Sequence, residues 1–357
     1  MKLRLPAVCN PSLISILAAG HWLRWLTEGD DFIKTPVSWV GNKTSILPIV
    51  YAAFPNKYER YIEPFGGSGA VLLGKEKPDK FEVYNDYNQD LVNLFLCMRD
   101  RPMALIKELG FMNLNSRAEF KLMTAFLEKK PTPKLYLEEE IALTKKMFPP
   151  LEAKELIEIQ IKNTELYNVK RAAIFLKVLR YSYSSTGKSF GCQPFDIRTL
   201  FDLIKQVSDR LSNAVIENQD FETLIKHYDR KNSFFYLDPP YYYTESMYQV
   251  GFTVEDHLRL LELLCSIDGL FLLSYNDCPV IREMYKDFCI VSFSRVHSMA
   301  QKYEPGKEFH ELLIANYDIL ERTKNKPYQL TIFDTGEKAE VSNLLKGSII
   351  HYGKRNI

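Results

Sequence analysis

Hydrophobic residues along this chain alternate between short continuous runs, typical of buried strands, and helical spacing. This pattern predicts strands alternating with helices. The runs YERYIEPF (58–65) and KFEVYND (80–86) have the length and β-favouring residues of buried strands. Helical spacing follows in QDLVNLFLCMRD (89–100). The apolar face of that helix would hold Leu91, Leu94, Phe95 and Met98.

The same alternation resumes after residue 215. Predicted strands are SFFYLDPP (233–240) and GLFLLSYND (269–277), each followed by an amphipathic helix, and CIVSFSRV and HELLIANY form a closing strand pair. Alternating strands and helices are typical of an α/β fold with a doubly wound, mostly parallel sheet.

The region between these two halves is polar, mainly helical and less regular. Helix-breaking prolines stand in it at positions 131, 133, 149 and 150. We therefore predict one catalytic domain built from 32–110 and 215–320, with 111–214 inserted into it. Residues 1–31 would be a poorly ordered leader and 321–357 a tail. The leader loosely imitates a signal peptide, but His21 and Arg24 interrupt its apolar run.

Composition excludes few classes of function. The 357 residues are 46% hydrophobic and 25% charged, with a formal net charge of +1, as in ordinary globular proteins. Any nucleic-acid surface must therefore be local, and the stretch 170–188 holds five basic residues and no acidic one. No apolar run has the roughly 18 residues of a membrane span. The six cysteines lack metal-ligand spacing, which favours free thiols in a reducing, cytoplasmic compartment.

Two motifs stand at predicted strand ends. EPFGGSG (63–69) is a glycine turn between a strand and a helix, where a ligand can approach the backbone closely. Asp86 ends the next strand, where open α/β folds place an acid on ribose hydroxyls, so a nucleoside cofactor is expected. Asp238 ends a third strand and is followed by Pro239, Pro240 and Tyr241. Two stiff acceptors beside a flat ring suit a substrate that carries an amino group on an aromatic base.

These motifs together resemble a known family. SWVGNK, EPFGGSG, YNDYN, LDPPYY, LLSYNDCPVIREMY and ELLIANY occur in the order of the Dam-type DNA adenine methylases, over roughly residues 34–318. The resemblance implies a Rossmann-like methyltransferase that uses S-adenosylmethionine, without a metal, to methylate the amino group of adenine in double-stranded DNA after base flipping.

The resemblance also implies site residues. Asp238, Pro239, Pro240 and Tyr241 would hold the target base. The cofactor would be bound by Trp39, Lys43, Phe65, Gly67, Gly69, Asp86, Asp220, Phe221 and Asp238. The segment LRYSYSSTGKSFG resembles the family's DNA-reading hairpin, in which DNA would be contacted by Arg180, Tyr181, Tyr183, Ser185 and Lys188. GATC methylases have Asn-Gly and a further Arg in this loop, so the resemblance does not extend to GATC as the recognition sequence.

Three other interpretations remain open. A cytosine amino-methyltransferase would typically carry serine in place of Asp238, and a DNA-binding protein without catalysis would not need the intact glycine turn. Methylation of RNA or protein is disfavoured by the long basic insertion.

In the tail, Gln329–Phe333 (QLTIF) resembles the peptide by which bacterial DNA-processing proteins dock on the replication sliding clamp. Its alternative is an edge strand or a tail with chance apolar residues.

Overall fold

The computed structural model describes residues 32–110, 114, 116–128, 137–163, 167–183, 187–192, 195–243, 251–296 and 308–319. The predicted leader and the tail, with its Gln329–Phe333 segment, lie outside the described residues.

Seven strands form one sheet in the order β3-β2-β1-β4-β5-β7-β6. Their bounds are β1 Arg60–Glu63, β2 Phe81–Asn85, β3 Val215–Glu217, β4 Ser233–Leu237, β5 Leu270–Asn276, β6 Cys289–Val296 and β7 Glu308–Ala315. All neighbours are parallel except β7, which runs antiparallel to β5 and β6. The predicted doubly wound, mostly parallel α/β sheet is confirmed.

Twelve α-helices connect or flank these strands within the described residues. Their bounds are α1 Leu47–Ala52, α2 Ala70–Leu73, α3 Gln89–Asp100, α4 Pro102–Gly110, α5 Arg117–Leu127, α6 Leu137–Met147, α7 Pro150–Asn163, α8 Val169–Tyr181, α9 Phe201–Leu211, α10 Phe221–Tyr228, α11 Val254–Leu264 and α12 Pro279–Met284.

Side-chain alternation along the strands produces two cores. On β4, Phe234 and Tyr236 face a layer that includes α1, α3, α4, α8 and α9. Phe235 and Leu237 face the opposite layer of α10, α11 and α12. Because both faces are covered, every residue of β4 is buried, as expected for a central strand of a parallel sheet.

The predicted insertion is mainly helical, but part of it belongs to the central core. Helix α8 begins at the Asn168 cap, whose side chain accepts a hydrogen bond from the Arg171 amide at 2.9 Å. Its apolar residues share one core with α3, α4 and α9, and its other side packs on α5. A buried ion pair fixes α9 to β2, since Arg210 Nη1 lies 2.6 Å from Glu82 Oε2.

Candidate active site

A cleft opens where β1, β2 and β4 end, as expected for a ligand site of an open α/β sheet. Many of the residues predicted for the cofactor and the target base line it. These are Trp39, Lys43, Phe65, Gly67, Asp86, Asp220, Phe221, Asp238 and Pro240. The prediction thus singled out residues that the fold brings to one place, although they are distant along the chain.

The glycine turn after β1 forms one wall of the cleft. Gly67 and Gly69 have φ of 50° and 66°, values that side-chain-bearing residues rarely adopt. Gly69 also caps α2. A Cβ at Gly67 would lie 3.2 Å from the Trp39 ring, so the backbone of the turn approaches Trp39 closely.

Asp86 is tied to this turn through backbone amides. Its Oδ2 accepts a hydrogen bond from the Gly67 amide at 2.9 Å, and its Oδ1 accepts one from Asn88 at 2.8 Å. Burial raises the pKa of Asp86 to about 6, although these amides act in the opposite direction. Near neutral pH the carboxylate is therefore ionised and held in a fixed orientation.

The next part of the cleft is an aromatic cluster with an ionic rim. Phe221 lies 5.4 Å from Phe65 and 5.8 Å from Phe252, measured between ring centroids. The guanidinium of Arg259 lies over the Phe221 ring at 4.9 Å and donates to Asp220 Oδ1 at 2.9 Å. The sequence motif identified Asp220 and Phe221. The role of Arg259 was not predicted, because a charged residue on an amphipathic helix is usually exposed to solvent.

The far end of the cleft holds Asp238 in an ion pair. Lys43 Nζ lies 2.6 Å from Asp238 Oδ2 and donates to the Gly41 carbonyl oxygen at 2.9 Å. Lys43 is only 3% exposed, so this ammonium is largely removed from water. An almost buried lysine fixes the orientation of the carboxylate and offsets its charge.

Tyr241 is fixed by a hydrogen-bond network that the sequence analysis did not predict. Its hydroxyl lies 3.0 Å from Ser274 Oγ and donates to Glu311 Oε2 at 3.0 Å. Glu311 is 2% exposed and comes from β7. The only signal in the sequence is an acid within the apolar strand HELLIANY. Burial, Glu311 and Asp238 raise the pKa of Tyr241 well above its usual value, so the hydroxyl stays protonated. Lys43 Nζ lies 4.9 Å from its ring centroid.

Comparison with known proteins identifies this arrangement. Residues 39–299 match the model of the D12 class N6 adenine-specific DNA methyltransferase family. The chain belongs to this family. It is therefore an adenine-specific DNA methyltransferase, and the predicted resemblance is confirmed.

Three similar proteins extend the match over most of the chain. A type II methyltransferase of Lactococcus lactis subsp. cremoris is 27% identical over 78% of this chain and 94% of its own length. A type II methyltransferase of Methanocaldococcus jannaschii is 27% identical over 80% and 99%, respectively. A DNA adenine methylase of Haemophilus influenzae is 25% identical over 78% and 91%.

The predicted DNA-reading hairpin of this methyltransferase follows α8, and its flanks on either side of residues 184–186 pair with each other. Ser182 and Phe190 form an antiparallel bridge, and the Tyr183 amide donates to the Ser189 carbonyl oxygen at 2.7 Å. Tyr183 and Lys188 are exposed there, whereas Ser185 lies outside the described residues. The structure thus presents two of the five predicted DNA contacts to solvent.

Two other predicted contacts are held by the protein itself. Arg180 Nε donates to the Pro36 carbonyl oxygen at 2.7 Å, and its guanidinium lies 5.3 Å from the Phe195 ring. Tyr181 is buried, and its hydroxyl donates to the Phe195 carbonyl oxygen at 2.6 Å. In this structure both side chains stabilise the base of the hairpin.

The basic stretch 170–188 does not form one exposed surface, because two of its five basic residues are buried. Arg171 is buried and paired with Asp90, and it also donates to the Leu127 carbonyl oxygen at 2.7 Å. Lys177 is 2% exposed, and burial lowers its pKa to about 8. Helices packed on several sides of α8 enclose these two residues, so their charges do not lie on the surface of the protein.

The remaining predictions concern cysteines, metals and membranes. The five cysteines in the described ranges are free thiols, as predicted. In the same ranges no cluster of three or more His, Cys, Asp or Glu side chains could hold a metal ion. No helix of the described residues combines the length and apolarity of a membrane span.

Proposed function

We propose that this methyltransferase transfers a methyl group from S-adenosylmethionine to the exocyclic amino group of adenine in double-stranded DNA. The products would be N(6)-methyladenine and S-adenosylhomocysteine. The observation that carries the proposal is the composition of the cleft. The glycine turn after β1, with Asp86 bound to its backbone, lies in one cleft with Asp238 of the Asp-Pro-Pro-Tyr segment.

The cleft residues fit the nucleoside part of the cofactor. Asp86 is a fixed, ionised acceptor, which suits two ribose hydroxyls. Phe221 offers an apolar surface for an adenine ring, and Asp220 beside it offers an acceptor for an exocyclic amine. The positive φ angles at Gly67 and Gly69 allow a ligand to lie directly against the backbone. When bound, S-adenosylmethionine would supply an activated methyl group.

Asp238 and the Pro239 carbonyl are the residues proposed to act on the target amine. The lone pair of an adenine amino group is delocalised into the ring, and acceptors on its two hydrogens would localise it on nitrogen. Pro239 and Pro240 fix φ near −65°, so these acceptors need little reorganisation. Lys43, at 2.6 Å from Asp238 Oδ2, pairs with this carboxylate and holds it in the wall of the cleft.

Tyr241 is the proposed stacking partner of a flipped base. A base inside a duplex cannot reach the end of this cleft, so it must leave the helix at a cost of a few kcal/mol. Stacking on an aromatic ring contributes about 1–3 kcal/mol per base. The Tyr241 hydroxyl is hydrogen-bonded to Ser274 and Glu311. These bonds restrict the motion of the ring, which reduces the conformational entropy lost when a base stacks on it.

The proposal is tested with Asp238→Ala and a matched control, Asp277→Ala. Asp277 also follows a parallel strand, but it pairs with Arg282 at 2.6 Å and does not line the cleft. Methylated nucleosides in plasmid DNA would be quantified by mass spectrometry. We expect N(6)-methyladenine from the wild type and the control, and about a hundredfold lower turnover from Asp238→Ala. N(4)-methylcytosine as product, or near wild-type turnover of Asp238→Ala, would refute the mechanism.

Three proposals concern the setting of this activity. The type II relatives suggest a role in restriction-modification. We propose a cytoplasmic, nucleoid-associated enzyme. Its Tyr183 and Lys188 would contact duplex DNA, and Arg180, Tyr181 and Ser185 are further candidates for such contacts.

We also propose that Gln329–Phe333 docks on the sliding clamp. A fluorescent peptide of residues 327–337, beside a Gln329→Ala, Phe333→Ala control, tests this last point, and no binding at tens of micromolar would refute it.

A further inference from the structure

The segment 36–43 reaches from the base of the predicted DNA-reading hairpin to the acid of the cleft. It contains no helix or strand, so contacts with other elements determine its position. Its last residue, Lys43, pairs with Asp238 at 2.6 Å. Its first residue, Pro36, accepts a hydrogen bond from Arg180 Nε at 2.7 Å. One short stretch of backbone therefore connects Arg180 with Asp238, although the two residues are distant along the chain.

Arg180 lies between the two ends of the hairpin. It is the penultimate residue of α8, and the hairpin begins just after this helix, where Ser182 pairs with Phe190. The Arg180 guanidinium lies 5.3 Å from the ring of Phe195, a residue beyond the other end of the hairpin. The Phe195 carbonyl oxygen also accepts the hydrogen bond of the Tyr181 hydroxyl. Arg180 is therefore part of the base of the hairpin and should move with it.

The hydrogen bond from Arg180 to Pro36 has a charged donor in a partly buried place. Burial lowers the pKa of Arg180, but an arginine side chain remains protonated in proteins. Hydrogen bonds with a charged donor are about twice as strong as those between neutral groups. This contact is therefore strong enough to hold the end of a segment that has no secondary structure.

Further contacts attach the segment to α8 and lead toward the cleft. Val37 is buried in the core that includes α8, and the ring of Trp39 lies 6.3 Å from that of Phe175 on the same helix. From Trp39 onward the segment lines the cleft. A change in the position of the hairpin base is therefore transmitted along the segment to Lys43 and to the carboxylate with which it pairs.

We propose that Arg180 is a positioning residue, which couples the placement of the hairpin on DNA to the orientation of Asp238 through Pro36 and Lys43. This inference rests on the proposed function, because it assumes that the hairpin contacts DNA and that Asp238 acts on the target amine. Arg180 would act inside the protein rather than in the DNA contact for which it is also a candidate. A displacement of about 1 Å caused far from the chemistry can lower a rate about a hundredfold, so a small movement of Lys43 is sufficient.

The test is Arg180→Met, which removes the charged donor and keeps a flexible apolar side chain on Phe195. The substrate is a duplex oligonucleotide with the site that modified-base sequencing identifies in DNA from cells that express the protein. The single-turnover rate is measured at saturating S-adenosylmethionine and DNA, and affinity for DNA is measured by fluorescence anisotropy. We expect a rate at least about tenfold lower, with the wild-type affinity for DNA and the wild-type dependence of that affinity on salt.

A double-mutant cycle tests the route through Lys43. Lys43→Met removes the ammonium group that pairs with Asp238, and mass spectrometry of the methylated nucleoside would follow the slower variants. In this background Arg180→Met should lower the rate no further, because the two residues act in one chain of contacts. Independent residues would instead give losses that multiply, and that result would overturn the inference.

Three further variants control for charge, location and folding. Arg180→Lys keeps a charged donor and should restore most of the rate, whereas a base-reading arginine needs its planar fork, which lysine does not replace. Arg198→Met removes an exposed arginine of the same insertion, which pairs with Asp196, and it should behave like the wild type. Circular dichroism would establish that each variant is folded. If Arg180→Met is not folded, Arg180→Gln, which keeps a neutral donor, takes its place.

The alternative roles of Arg180 give different results. Weaker binding with a salt slope reduced by about 0.9 would make it a phosphate contact, and a changed recognition site would make it a base contact. Either result would overturn the inference and leave the proposed function standing, as would a wild-type rate for Arg180→Met. A wild-type protein that produces no N(6)-methyladenine would overturn the proposed function together with the inference.

Discussion

Replacing Gly66 by alanine should damage the cleft through a single steric contact. A Cβ built at Gly66 would lie 2.3, 2.6 and 2.8 Å from three atoms of the Tyr84 ring. That ring cannot retreat, because it is fully buried and stacks on Phe95 at a centroid distance of 4.2 Å. Its hydroxyl also donates to the Gly67 carbonyl oxygen at 2.7 Å.

The size of the effect follows from this fixed geometry. Extra methyl groups in a packed core typically cost about 1–3 kcal/mol. Since neither the ring nor the turn has free space, we expect the upper end, about 3 kcal/mol, in the free energy of unfolding. Any relief by movement of the turn would pull the Gly67 amide from Asp86, now at 2.9 Å. Affinity for S-adenosylmethionine should therefore fall as well.

Gly251→Ala supplies the control for this substitution. Gly251 lines the same cleft, but a Cβ there would meet no atom of the described residues within 4 Å. Urea unfolding followed by circular dichroism would measure both variants against the wild type. We expect Gly251→Ala to stay within about 0.5 kcal/mol of it. Equal stabilities of the two variants, or a larger loss for Gly251→Ala, would refute the steric argument.

Two further predictions concern pH and salt. Burial raises the pKa of Asp86 to about 6, above its unfolded value, so its ionisation lowers stability as pH rises from about 4 to 6, while the ionised form binds ribose better. Calorimetry should show cofactor affinity rising from pH 5 to 7 in the wild type but not in Asp86→Asn, and a flat wild-type profile would contradict this. Lys188→Gln should reduce the slope of log affinity for DNA against log salt by about 0.9, as for one lost phosphate contact, whereas the buried Lys177→Met should leave the slope unchanged. Identical slopes for Lys188→Gln and the wild type would show that Lys188 contacts no phosphate.

The sequence was sufficient for the parts of the fold that depend on short-range patterns. The strand that ends at Asp238 has a continuous apolar run, and the structure buries every residue of it. Asp86 and Asp238 were each predicted to end a strand, at the edge of the sheet where open α/β folds bind ligands, and both line the cleft. Such inferences need only the spacing of hydrophobic residues and the direction of the strands.

Other features depend on which elements become neighbours, and the sequence does not show this. Glu311 reaches Tyr241 because β7 is inserted next to β5, in an order that no local pattern encodes. Lys177 and Arg171 looked like surface charges, yet helices enclose α8 on several sides.

The sheet order also constrains how this chain can fold while it is being synthesised. Strand β1 lies between β2 and β4, and β4 begins only at Ser233. At typical translation rates of about 5–20 residues per second, roughly ten to thirty-five seconds pass between the synthesis of β1 and that of its second partner. During that time one edge of β1 has no strand to pair with, while α8 and α9 can already fold over one face. The inserted helices α8 and α9 are therefore synthesised before β4, and they are available to cover one face of the incomplete sheet until translation reaches the Asp-Pro-Pro-Tyr segment.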